Sequence, residues 1–245
     1  MHTPLKRFLA TLATITATFA ALDSVSAQRV DQPTPDADRL RCGIDSLAVS
    51  LLREGSRQRT GIIVDECRVS GTGNTRLMTR IYRTTDAVLG NRLDTIVDVW
   101  RSLEPRRYRS RSSREVVQLD WAEGRLRGTI QTQGQAAATV DEAAKAGVYN
   151  SASFDVIVRA SPLAAGYSLA LPAFVPGRGI ATLTAKVVGD ESVDGQSAWR
   201  VDADFSGLAV TFWIAKQSRQ LLKQVIHAAP GADIEFVALP RVDRE

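Results

Sequence analysis

Few side chains in this sequence are suited to covalent or acid–base chemistry. Histidine occurs twice, at His2 and His227, and cysteine twice, at Cys42 and Cys67. His227 ends an apolar–polar run just before Ala228-Ala229-Pro230. General-base catalysis needs a partner that orients the imidazole, and no neighbour in sequence supplies one, so His227 is read as a surface or edge residue. Asp202 and Asp204 alternate with apolar residues and share one strand face, roughly 7 Å apart by strand geometry. That is a spacing paired-carboxylate chemistry can use. Arg200 lies on the same face, however, and a solvated outer surface explains the set more simply. Asp65 and Glu66 adjoin, so in a strand they point to opposite faces and cannot act together. There is no Gly-x-Ser-x-Gly elbow, and neither Gly71-Thr72-Gly73-Asn74 nor Pro176-Gly177-Arg178-Gly179 has the spacing of a phosphate loop. With so little nitrogen and sulfur ligation, neither a metal nor another cofactor is expected, and the chain is read as non-enzymatic.

The one dense cluster of charge is basic. Arg101, Arg106, Arg107, Arg109, Arg111 and Arg114 crowd one segment. In a strand Arg107, Arg109 and Arg111 share a face, with Tyr108 and serines on the other. Such a face attracts anionic lipid headgroups or an acidic partner. A solvated sheet surface protected from edge pairing by its charge is the favoured reading, since clustering alone does not define a site.

The elements that would position these residues begin with the N-terminus. Lys6 and Arg7 precede an uncharged run, Phe8 to Leu22, and Val25-Ser26-Ala27 presents small residues for cleavage. Residues 1–27 are read as a signal peptide, since the run is short of the roughly 20 residues a membrane-spanning helix needs. Gln28 stands where a lipoprotein would have cysteine, so the expected location is the periplasm, or outside the cell, without a lipid anchor at this end. Removing Lys6, Arg7 and Asp23 leaves 29 basic and 26 acidic residues, a mild excess that gives no reason to expect nucleic acid. Of the 31 basic residues of the full sequence only five are lysines. Residues 28–41 are read as a flexible leader and 42–245 as one β-rich domain. In an exported chain Cys42 and Cys67 are expected to pair, two buried thiols being the alternative. The loop so closed would contribute about 3 kcal/mol.

From there the dominant period is two. Val117, Leu119 and Trp121, then Leu126 and Ile130, alternate with polar residues around Ala122-Glu123-Gly124. Leu183, Ala185 and Val187, then Trp199, Val201, Ala203 and Phe205, do so around Asp194-Gly195. Further strands are expected near 58–66, 76–84, 93–100, 105–112, 209–215, 220–227 and 233–239. Residues 40–52 fit a strand or a helical stripe. Ser153 is expected to cap a short helix ended by Pro162, and Asp141–Ala146 has helical propensity with Gly147 as its stop.

Three segments carry a resemblance. Gly195-Gln196-Ser197-Ala198-Trp199-Arg200-Val201 leads to Val210-Thr211-Phe212-Trp213-Ile214-Ala215-Lys216, then to Arg219-Gln220-Leu221-Leu222-Lys223-Gln224. Upstream, Leu89-Gly90, Asp94-Thr95, Leu103-Glu104-Pro105-Arg106-Arg107-Tyr108 and Pro172-Ala173-Phe174 fit the same pattern. The cadence resembles the exported bacterial family DUF3108, although Ala215 stands where that family usually has Asp. The resemblance implies a mainly β fold similar to LolA/LolB-like lipoprotein carriers, a curved antiparallel sheet or incompletely closed barrel with one or two short helices. It implies an apolar concavity lined by some of Trp100, Trp121, Trp199, Phe205 and Phe212, and no catalytic residues. Two readings follow: an envelope protein that holds an acyl chain or other hydrophobic partner, lipid or lipoprotein, in that concavity, or an interaction scaffold whose sheet is filled by its own side chains.

The N-terminal reading predicts that exported protein begins at Gln28. Sequencing its N-terminus checks this, and retention of Phe8–Leu22 would refute it.

Overall fold

The computed structural model describes residues 35–240. The signal peptide and the first part of the leader lie outside the described residues. Fifteen strands follow: β1 (Ile44–Arg53), β2 (Ser56–Ser70), β3 (Leu77–Asp86), β4 (Arg92–Val99), β5 (Pro105–Ser112), β6 (Glu115–Ala122), β7 (Arg125–Thr132), β8 (Ala138–Ala143), β9 (Tyr149–Asn150), β10 (Ser168–Val175), β11 (Gly179–Val193), β12 (Gln196–Asp204), β13 (Ala209–Ala215), β14 (Leu221–Ala229) and β15 (Ala232–Ala238). One helix, α1 (Phe154–Ala160), lies between β9 and β10.

The strands form one sheet in the order β8-β7-β6-β5-β4-β3-β2-β1-β15-β14-β13-β12-β11-β10-β9. Two antiparallel meanders, β1 to β8 and β10 to β15, are thus spliced where β1 meets β15, with Leu47 opposite Ala238 and Leu51 opposite Ile234, and the two-residue β9 joins β10 in parallel. The sheet is not closed by hydrogen bonds, since β8 and β9 are its two edges. Side chains cover part of the seam: Phe174 of β10 packs with Tyr108, Leu119, Val140 and Ala144 from the other meander. Pro172 lies in β10 next to the edge, where its missing N–H is tolerated.

The expected mainly β, half-barrel fold is therefore the fold observed. The alternation around Glu123-Gly124 and Asp194-Gly195 gives two hairpins, with φ positive at all four residues. Residues 40–52 resolve in favour of the strand, and β8, β9 and β10 had not been anticipated. The helix at 141–146 does not form. Ala138–Ala143 pairs instead with β7, Val140 turns inward and Asp141 receives Arg125, so tertiary pairing overrides local propensity.

The end of the presumed leader is ordered as well. Residues 37–39 form a 3-10 turn with Ala37 fully buried. The Asp36 N–H and the Arg39 guanidinium both donate to the Ala160 carbonyl, at 3.1 and 2.9 Å, satisfying an acceptor that the end of α1 leaves open. Next to it Cys42, just before β1, and Cys67, near the end of β2, form a disulfide, with 4.8 Å between Cα atoms.

α1 is buried on nearly every side. Phe154, Val156, Ile157, Val158 and Ala160 all sit in the main core, so Asp155 and Arg159 are the only two of its residues that need polar partners. Phe154 meets Phe205 and Phe212 edge-on, at ring distances of 5.7 and 6.4 Å. Much of the concave face is thereby filled. On β13 the two faces separate cleanly: Val210, Phe212 and Ile214 enter the main core, while Trp213 joins Ala198, Ala215 and Leu222 in a small outer cluster.

Phe212→Ala should cost about 3–5 kcal/mol, because it opens a cavity beside Phe154. Trp213→Ala, one residue on, should cost about 1–2 kcal/mol, since a half-exposed ring with the Lys223 ammonium over it loses less. Denaturant melts of the two variants check the contrast; equal losses would mean the outer cluster holds the fold as strongly as the inner core.

Candidate functional site

On the concave face, strands β2 to β5 direct charged residues inward at positions that alternation assigns to the core. β3 turns Met78, Arg80, Thr84 and Asp86 inward, and β4 turns Asp94, Ile96 and Asp98 inward. Register places Asp65, Tyr82, Asp94 and Ser110 side by side across four strands. Asp65, Tyr82 and Asp94, with residues of α1 and of β1 and β14, line a cleft of about 310 Å³.

Arg80 is the centre of the charged wall and is only 2% exposed. It grips Asp65 through Nε (3.2 Å) and Nη2 (2.6 Å), and Asp155 of α1 through Nη1 and Nη2 (both 3.1 Å). Burial works against its charge, but the carboxylates of Asp155 and Asp65 outweigh it and hold the guanidinium firmly protonated. Burial, with Asp155 and Asp65 adding to it, pushes the Tyr82 phenol well above its ordinary range. At the rim, Arg92 donates to Asp94 (2.9 Å) and to the Tyr108 hydroxyl, which itself donates to Asp94 at 3.3 Å. Burial, then the nearby Asp94 charge, lifts Tyr108 to about 12. Arg159 donates to the Arg219 carbonyl at 2.7 Å, and burial lowers its pKa.

Most of the rest of the lining is apolar, with Asp45, Ser151 and Gln224 interspersed. Leu47 comes from β1, Leu221 and Ile226 from β14, and Phe205 from the turn after β12. The cleft thus has an ionic side and a hydrocarbon side. A second depression of about 360 Å³ lies by Val193, Gln196, Leu222 and Leu239, but among the described residues only one charged side chain, Asp194, borders it.

The aromatic residues expected to line one concavity are dispersed. Only Phe205 lines the cleft. Phe212 is buried beneath it in the main core, and Trp121 belongs to the second core with Leu126 and Val140. The Trp100 indole N–H donates to Asp38 at 2.8 Å and anchors the ordered end of the leader, with the Arg76 guanidinium 5.1 Å from its ring. Trp199 faces the main core but is only partly buried, covered by the Lys216 ammonium at 4.1 Å.

The arginines Arg107, Arg109 and Arg111 lie on the outer face, with Tyr108 and Ser110 inward, as alternation requires. Arg107 and Arg109 are held by Asp120, at 3.3 and 2.6 Å. Asp202 accepts the Thr211 hydroxyl and pairs with Arg200, and Asp204 accepts the Gly207 N–H; they do not converge on one another's chemistry. His227 has neighbours that the sequence did not reveal: Asp233 at 3.2 Å from Nδ1 and Thr211 at 3.3 Å from Nε2. The order suggests nucleophile, base and orienting acid. The Thr211 proton, however, is committed to Asp202, and none of the three residues lines the cleft.

A family model described as a protein of unknown function, DUF3108, matches residues 53–232. The search of curated proteins finds no match. Among solved structures the chain is similar to the crystal structure of a beta-barrel-like protein of domain of unknown function DUF1849 from Brucella abortus, at 11% identity and a TM-score of 0.45, over 81% of this chain and 97% of that one.

Beneath the cleft, Asp98 is fully buried; Ser153 donates to its Oδ2 at 2.8 Å and its Oδ1 has no hydrogen-bond partner among the described residues. Burial raises its pKa to about 7, only partly offset by the Ser153 hydrogen bond and by Arg80. For this group the native state binds more protons than the unfolded one between pH ~4 and ~7, so its contribution to stability is fully present below that window and is lost as pH rises through it. The loss should be on the order of a few kcal/mol. Asp98→Asn should flatten this fall, and denaturant melts of both proteins across pH 4 to 8 measure it; parallel curves would refute the assignment.

Proposed function

The chain belongs to the DUF3108 family, proteins of unknown function, and from that premise we propose that it is an exported, non-enzymatic envelope protein that holds a small amphiphile in its concave cleft. The observation that carries this reading is the two-sided lining of the cleft. About 310 Å³ lies near the lower end of the roughly 300–1,000 Å³ occupied by small-molecule sites. A bare hydrocarbon would strip water from Arg92 and Asp94, at a cost of several kcal/mol per ion. A wholly polar molecule would leave Leu47, Leu221, Ile226 and Phe205 without contact. A short apolar body with a hydrogen-bonding head satisfies both sides. A long acyl chain is disfavoured because α1 and Phe212 already fill the deep part of the concavity.

The non-enzymatic part rests on how the polar groups are used. Both edges of the Arg80 guanidinium are taken up by Asp65 and Asp155, and the lone described histidine lies away from the cleft. Export rests on the N-terminal sequence pattern. The scaffold reading, with no ligand, is favoured by the consumption of Trp100, Trp121 and Phe212 in the protein's own packing.

Native mass spectrometry of protein recovered in processed form from its own host separates the two. The amphiphile reading expects a small-molecule adduct that is released on unfolding and absent from Ile226→Trp, whose larger ring occupies the cleft. Bare protein throughout would leave the scaffold reading in place.

A further inference from the structure

Three of the large apolar side chains exposed on this chain sit in one hairpin. Val88 and Leu89, 41% and 37% exposed, form the tip between β3 and β4, and Leu93, 45% exposed, opens β4. The tip is not slack. Asp86 accepts the N–H groups of Val88 and Leu89 at 2.8 and 2.7 Å and the Thr60 hydroxyl at 2.7 Å. Gly61 makes this possible, since a Cβ there would collide with Asp86. The backbone of the tip is therefore fixed with its hydrocarbon turned to solvent.

Positive charge surrounds it. Leu93 lies in register between Arg83 and Arg111 on the outer face. The Ala87 N–H donates to the Thr60 carbonyl, which brings Arg59 alongside the tip, and Arg114 occupies the next turn on the same end of the sheet. Arg83 is tied to Glu66 at 3.4 Å, and Glu115 is the nearby acid of the β5–β6 turn. Arg59, Arg111 and Arg114 are exposed and have no carboxylate partner among the described residues. Preformed hydrocarbon ringed by uncommitted guanidinium groups is complementary to an anionic bilayer surface, whose headgroups take the arginines while the tip enters the acyl boundary.

We infer that the β3–β4 hairpin docks this protein onto anionic membrane surfaces. Arg92, three residues beyond Leu89, lines the cleft, so docking places the cleft wall next to lipid. The docking edge stands independently of the cleft's occupant.

Flotation of the natively processed protein with vesicles tests this, using phosphatidylcholine alone and phosphatidylcholine with one third phosphatidylglycerol. Binding is expected to the anionic vesicles only and to weaken with added salt. The pairs Val88→Asp with Leu89→Asp, and Arg111→Glu with Arg114→Glu, should each reduce it at least ~10-fold while leaving circular dichroism unchanged. The cleft-filling Ile226→Trp should float normally, which separates failure of docking from failure of ligand binding. No flotation, equal flotation with neutral vesicles, or full binding by either pair overturns the inference. So does a concentration-dependent dimer dissolved by Leu89→Asp, which would make a second copy the occupant of this edge.

Discussion

The position of the helix depends on one buried cation. Arg80 reaches from β3 to Asp65 on β2 and to Asp155 on α1, so a single guanidinium ties the helix to the sheet it covers. An unpaired charge at this depth would be prohibitive, and removing Arg80 would leave Asp65 and Asp155 without the cation they share. The pair also dictates what surrounds it. Tyr82 and Asp98 sit in the same field, and α1 must present Asp155 toward β3 and Arg159 to the Arg219 carbonyl while its apolar residues meet hydrocarbon. An ionic wall on one side of the cleft is thus part of the architecture that holds the barrel's filling in place.

Much of the sheet was legible in the sequence because alternation is a local signal. The hairpins around Glu123-Gly124 and Asp194-Gly195, and the short helix after Ser153, were readable from a few residues each. Even so, Ser153 uses its hydroxyl on Asp98 rather than as a cap. β8 was not readable, since its pairing with β7 decides against the helical preference of Asp141–Ala146.

The cleft left a trace that composition alone obscures. In 76–84 and 93–100, period two puts Arg80 in phase with Met78 and Tyr82, and Asp94 and Asp98 in phase with Ile96. Charges in the apolar phase of adjacent strands were the available mark of a polar interior. The aromatic residues misled because face assignment does not say which of several cores a side chain enters. Trp121 and Phe212 both point inward, yet one lies in each cluster. The partners of His227 lie on other strands, so only register brings them within reach.

The splice of β1 to β15 bears on how the chain reaches this state. Each meander is built from neighbours in sequence and can form by short loop closures, but Leu47 finds Ala238 only across nearly the whole domain. Long-range pairings of this kind are the slow step of β-rich folding. Until β15 is available, β1 carries an open edge in the middle of what will become the sheet, with Val49 and its neighbours unprotected. A chain truncated before Ala232 keeps most of its strands and loses the pairing that makes them one sheet, so such fragments should aggregate through β1 rather than persist as smaller half-barrels.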